Sequence, residues 1–121
     1  MNILTLSIKQ KYFDEILAGK KKQEFREIRP SSQKKYCELD EEGYCKEIDG
    51  IFIPRKYDAI KLLTGAYSGK RPWALVEVKC ANIELFVDEN NEFIELEEKG
   101  VPYLAAQVVY DLGKVIDKSD Y

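Results

Sequence analysis

The sequence predicts an α+β fold: a small, partly closed β-barrel of five or six strands with flanking helices at its rim. Three observations carry this prediction. Residues 3–8, ILTLSI, alternate so that Leu4, Leu6 and Ile8 share one face, the period of a half-buried strand. The following stretch changes to a helical period, with Ile8, Tyr12, Phe13, Ile16 and Leu17 on one side. Residues 73–86, WALVEVKCANIELF, are long and rich in β-branched types, which suits a bent barrel strand.

Taken in order, the first strand feeds a helix that Ser7 and Gln10 are placed to open as a capping box and that Gly19 closes. QEFREI is the next strand, ended by Pro30, which has no N–H to give a ladder. Within it Glu24, Arg26 and Ile28 share one face and Phe25 and Glu27 the other, with Phe25 expected to anchor this strand to the core. Between residues 31 and 57 the pattern is weak. Ser31 or Ser32 could cap a short helix through Tyr36, and GIFIP could be a brief strand. DAIKLLT, residues 58–64, predicts a strand leading into the glycine-rich loop GAYSGKRP. VDENNEF predicts a hairpin turn, because Asn90 and Asn91 tolerate the left-handed conformation, and AAQVVYDLGKVID predicts a closing strand.

The 121 residues suffice for one domain, residues 1–121, whose core needs no covalent staples. No apolar run approaches 18 residues, and MNILTLSIKQK is too short and too polar for a signal peptide, so a soluble cytoplasmic protein with no membrane partner is expected. The three cysteines, Cys37, Cys45 and Cys80, are odd in number and fit no C-x-x-C spacing. Neither a disulfide framework nor a zinc site follows from them, and no metal or other cofactor is expected. The chain has no histidine, which removes Ser-His-Asp triads, Cys-His pairs and histidine acid–base ribonuclease chemistry. Any catalysis must run on Lys, Glu, Asp, Tyr, Ser, Thr or Cys.

The net charge of −3 conceals a segregation of sign. Residues 1–37 carry nine Lys/Arg against four Asp/Glu, and residues 55–80 carry six against two. Residues 38–50 and 82–100 are strongly acidic and read as solvated loops and hairpins. If the two basic segments meet in the fold, one face attracts phosphates despite an acidic pI near 5.1.

Several polar residues are candidates for a site on this scaffold. Ser7 and Lys9 lie where strand becomes helix, a place where free N–H groups favour an anion. Lys21, Glu24 and Arg26 follow one helix later. Glu77 lies opposite the valine face of ALVEV, so it either points to water or enters a partly buried site, where a lysine or arginine should accompany it. Arg26 and Arg71 are further phosphate ligands, and Tyr12, Tyr67 or Trp73 could stack on a base.

The spacing G-x-K-x-x-E-x-R at Gly19, Lys21, Glu24 and Arg26, directly after LSIKQKYFDEILAG, resembles the ASCH domain of the PUA-like superfamily. The resemblance covers residues 4–30 and extends loosely over YDAIKLLTGAY, ALVEV and the last strand. It implies a PUA-like β-barrel with flanking helices, a polar cleft at the motif, and an RNA, nucleotide or nucleoside ligand. Some relatives are amidohydrolases of acetylated cytidine that use a lysine, a threonine three residues later and a glutamate on a later strand. The lysine falls on Lys21 and the later glutamate on Glu77, but the threonine position is Glu24, which cannot easily act as a hydroxyl nucleophile and would instead activate a water. Two functions therefore stand open. One is a nucleic-acid or nucleotide-binding module using Ser7, Lys9, Tyr12, Arg26, Tyr67 and Arg71. The other is a small hydrolase of modified nucleosides or RNA with Lys21, Glu24 and Glu77 as its catalytic groups.

Overall fold

A computed structural model describes residues 1–65 and 71–119. It is mixed α+β and mostly sheet. The elements in order are β1 (Ile3–Ser7), α1 (Gln10–Leu17), β2 (Gln23–Ile28), α2 (Gln33–Tyr36), β3 (Glu47–Ile48), β4 (Ile51–Phe52), β5 (Ala59–Leu63), β6 (Trp73–Leu85), β7 (Glu95–Glu98), β8 (Val101–Leu104) and β9 (Ala106–Lys118). Five strands form one sheet in the order β1-β5-β6-β9-β2. β1 runs parallel to β5, with Ile3 opposite Ala59 and Ser7 opposite Leu63. β5 runs antiparallel to β6, with Ala59 opposite Glu77 and Leu63 opposite Trp73.

The sheet is open, with β1 and β2 as its edges, so the predicted barrel does not close. Four further strands pair as separate hairpins instead of extending this sheet. β3 pairs with β4, and β7 with β8. Each of these hairpins turns through two residues of positive φ: Asp49 (52°) and Gly50 (80°) in the first, Lys99 (48°) and Gly100 (83°) in the second. That is the geometry of two-residue turns matched to the strand twist.

The chain divides into two compact units. Unit 1 comprises the described residues of Met1–Glu24, Tyr57–Cys80 and Tyr110–Tyr121. Its core takes Leu4 and Leu6 from β1, Ala59, Ile60 and Leu62 from β5, Ala74 and Val76 from β6, Tyr110 and Leu112 from β9, and Phe13 and Ile16 from α1. The alternation read in ILTLSI holds for Leu4 and Leu6, whereas Ile8 is only half-buried. β5 is nearly continuous in burial, as expected of a strand with a neighbour on each side. A fully buried side chain such as Leu62 contributes about 1.5–3 kcal/mol relative to exposure.

The capping box does not form. α1 begins at Gln10 with Lys9 as its N-cap, and no side chain caps it. Gln10 is engaged elsewhere: its Nε2 donates to Asp14 Oδ1 at 2.9 Å and its Oε1 accepts from Thr64 Oγ1 at 2.8 Å. The C-terminus follows the expected course. Gly19 has φ +76°, its N–H donates to the Ile16 carbonyl at 3.1 Å, and the Lys20 N–H reaches the Glu15 carbonyl at 2.9 Å. This is the Schellman pair of bonds, which a residue with a β-carbon disfavours at the left-handed position.

Unit 2 comprises Phe25–Lys56 and Ala81–Val109. It holds α2, both hairpins, most of β2 and segments of β6 and β9. Ile28, Tyr36, Cys37, Val108 and Val109 are among its buried side chains. Phe25 does not anchor the strand as expected, since it is 43% exposed and lies on the outer face with Glu27. On the inner face, Ile28 takes the buried position, because strand alternation permits only one face to be covered. The predicted turn at VDENNEF is present: Asn91 has φ 62°, and Asp88 Oδ1 accepts the N–H groups of Asn90 and Glu92 at 2.8 and 3.1 Å.

Candidate functional site

The Schellman turn after α1 decides where the basic run goes. With the Lys20 and Lys21 N–H groups both on the Glu15 carbonyl, the chain reverses sharply, and the Lys22 carbonyl then accepts the Leu112 N–H at 2.9 Å. Lys21 and Lys22 are thereby held against β9. On β6, strand alternation puts Glu77 and Lys79 on a common face. On β9, Leu112 and Lys114 share a face, with Gly113 between them.

These residues wall one cavity of about 370 Å³ within unit 1, lined by Ile16, Gly19, Lys21, Lys22, Glu77, Lys79, Leu112, Gly113 and Lys114. Among the described residues that line it, four are lysines and one is a glutamate. Gly113 makes room for that glutamate: a β-carbon built on Gly113 would collide with the Glu77 carboxyl group, whose Oε1 lies nearest. Glu77 is half-buried, so it is neither in the core nor fully in water. The lysines around it leave an excess of positive charge for an anionic ligand. The Lys21 ammonium also lies 5.6 Å from the centroid of the Tyr12 ring, and Lys11 lies 5.9 Å from it. Tyr12 thus faces solvent beneath two cations, a contact worth about 0.5–1 kcal/mol at an exposed site.

A second, more open cleft of about 600 Å³ gathers Ser7, Ile8, Lys9, Gln10, Thr64, Gly65 and Arg71 at the start of α1. The Arg71 guanidinium donates to Ser7 Oγ at 3.3 Å and to the Thr64 carbonyl at 3.4 Å. Thr64 is 1% exposed and ties this wall to Gln10. Ser7, Lys9 and Arg71 are therefore neighbours, in a cleft separately lined from that of Lys21 and Glu77.

No family model, no curated protein and no solved structure matches this chain. The reading of the site rests on its own geometry.

The remaining sequence candidates are placed differently. Glu24 is 6% exposed on the inner face of β2, and Arg26 is half-buried on the same face in unit 2; neither lines the lysine-walled cavity. Tyr67 lies outside the described residues. Trp73 is half-buried, with the Lys61 ammonium 5.0 Å from its ring centroid. Sequence reasoning did not single out Lys22, Lys79, Lys114 or Gly113. Lys79 was accessible to the argument, because it follows Glu77 at the strand period of two. Lys114 and Gly113 were not, since nothing in LGKVI reveals that β9 lies beside β6.

Among the described residues no three His, Cys, Asp or Glu side chains gather as a metal-binding group, and no helix is long and apolar enough to cross a membrane.

Proposed function

We propose that this protein is an ASCH-type, PUA-like module that binds a nucleotide or a single-stranded RNA segment in the lysine-walled cavity of unit 1. The observation that carries this reading is the set of Lys21, Lys22, Lys79 and Lys114 around one cavity, with Glu77 alone opposing them among the described residues. Lys21 and Lys22 come from one basic stretch of the sequence and Lys79 from the other, with Lys114 added by β9. Phosphate oxygens supply the complementary charge, and Glu77 is an acceptor for the amino or imino donors of a base edge. A volume of about 370 Å³ is at the lower end of small-molecule pockets and suits one nucleotide unit. The Ser7, Lys9 and Arg71 cleft is a second phosphate position in this reading, with Arg71 already oriented by two hydrogen bonds. The test is binding of a short labelled RNA and of single nucleotides over a range of salt, with affinity falling steeply as counterion release is suppressed. Absence of binding at low ionic strength would overturn it.

A second reading is favoured by one specific feature, the presence of Lys21 and Glu77 in the same cavity. In a hydrolase of acetylated cytidine or a related modified nucleoside, one of the pair activates the nucleophile and the other steadies developing charge. Glu24, buried and away from the cavity lining, has no part in that arrangement. Incubation with acetylated cytidine beside a Lys21→Ala control decides this reading. Equal turnover by the two proteins would trace the activity to a contaminant.

A further inference from the structure

Unit 2 contains a cavity of about 630 Å³, larger than either cleft of unit 1, and the proposed function makes no use of it. Its apolar wall includes Ile28, Phe52, Ile83, Leu85 and Leu104. Two thiols, Cys37 and Cys45, open onto the same space. They meet because Leu39 bridges Cys45 in antiparallel register while Lys46 N–H donates to the Glu38 carbonyl at 2.8 Å, so Cys37, two residues before Leu39, lies on the same face one diagonal step away. Both side chains line this one cavity. Cys37 is buried and Cys45 is partly accessible.

We propose that Cys45 and Cys37 form a reactive dithiol that reduces an organic hydroperoxide held in this cavity. Cys45 is the attacking group because it is the accessible one, whereas Cys37 is buried. Its neighbour Cys37 draws the Cys45 thiol below its ordinary range, against the opposing effects of burial and Asp40. The same neighbour and burial push the Cys37 thiol up. In its thiol form Cys45 donates to Gln33 Oε1 at 3.7 Å, a long contact that is given up on ionisation.

In the first step the Cys45 thiolate attacks the outer peroxide oxygen, the O–O bond breaks, and the alkoxide leaves and takes a proton from water as an alcohol. Cys45 is then a sulfenic acid. In the second step the Cys37 sulfur attacks Cys45, its proton combines with the departing hydroxyl, and a disulfide and water result. Two thiols lose two electrons and one peroxide gains them. The apolar wall selects an oxidant with an apolar substituent.

The experiment treats the full chain carrying Cys80→Ser with cumene hydroperoxide or hydrogen peroxide, counts thiols and maps peptides by mass. The proposal expects both remaining thiols to disappear together into an intramolecular Cys37–Cys45 bridge, about tenfold faster with cumene hydroperoxide. Cys37→Ser in this background should stop at a sulfenic acid on Cys45 that dimedone traps, and Cys45→Ser should be inert. Unchanged thiols, intermolecular disulfides, or equal reactivity of Cys45→Ser would overturn the dithiol. Equal rates with the two peroxides would overturn recognition of the organic group. The Cys80→Ser chain alone supplies the bridge map and the rate comparison, so the proposal is testable even where a further substitution prevents folding.

Discussion

In unit 1 the apolar side chains of Leu4, Leu6, Ile60, Leu62 and Val76 are buried between strands, and the adjoining cavity is walled by lysine. In unit 2 the apolar side chains of Ile48, Ile51, Phe93 and Val101 are exposed, and the cavity has an apolar wall. The same amino-acid types thus serve different ends. Unit 1 puts more of its large hydrophobic side chains into a core and leaves charge to meet a ligand, whereas unit 2, beside its own buried residues, leaves more of them exposed and places thiols at its cavity. Cohesion should therefore be concentrated in unit 1, and its site should behave electrostatically.

The largest expected effect sets the two units apart in stability. Ile60→Ala, in a strand paired on both sides, should cost about 2–5 kcal/mol, while Ile51→Ala, at an exposed hairpin, should stay within about 0.5 kcal/mol. Urea titration of both variants checks this, and similar losses would erase the contrast. Native-state hydrogen exchange should agree, with β5 amides outlasting those of the β7–β8 hairpin.

Gly113 sharpens the account of the unit 1 cavity. Gly113→Ala places a methyl group against the Glu77 carboxyl and should destabilise by about 1–3 kcal/mol. In a Glu77→Ala background most of that cost should vanish, which a double-mutant cycle measures directly. A cost independent of residue 77 would mean that the two side-by-side positions are not coupled.

A smaller effect concerns exposed Gln23 and Cys80 with half-buried Asp111 in unit 1. Cys80 and Gln23 donate to the two Asp111 carboxyl oxygens at 2.8 and 2.6 Å, and these bonds, Cys80 first, hold the Asp111 carboxyl below its ordinary range. A depressed carboxylate contributes stability above its unfolded pKa and loses it as pH falls through the folded one. Cys80→Ala should raise the Asp111 midpoint towards the ordinary value, readable by carbon-13 titration of the carboxyl signal. No rise would remove the Cys80 bond from the account.

Much of unit 1 was legible because its elements carry strong local periods. ILTLSI, DAIKLLT and WALVEVKCANIELF each mark a strand of the central sheet, and Gly19 marks the helix end through its φ of +76°. Unit 2 was harder to read because two-residue strands have too few positions to show a period. The Asp49-Gly50 pair in IDGI was the one clear local signal for β3 and β4, and it lay in a stretch whose flanks are mostly polar. The partly closed barrel is realised as an open five-stranded sheet because pairing partners are set at long range: β3 with β4 and β7 with β8 form hairpins of their own instead of joining β1 to β2. For the site, spacing brought attention to Lys21 and Glu77, but Lys114 and Gly113 required knowing that β9 lies next to β6.

The most direct test of the central claim is the salt dependence of RNA binding by the full chain, measured by fluorescence anisotropy with a short single-stranded oligonucleotide. Each cavity lysine that meets a phosphate should contribute about 0.7 to the slope of log affinity against log salt, and Lys79→Ala and Lys114→Ala should each lower it by that amount. Binding that is undetectable at low salt, or a slope unmoved by both substitutions, would contradict the account.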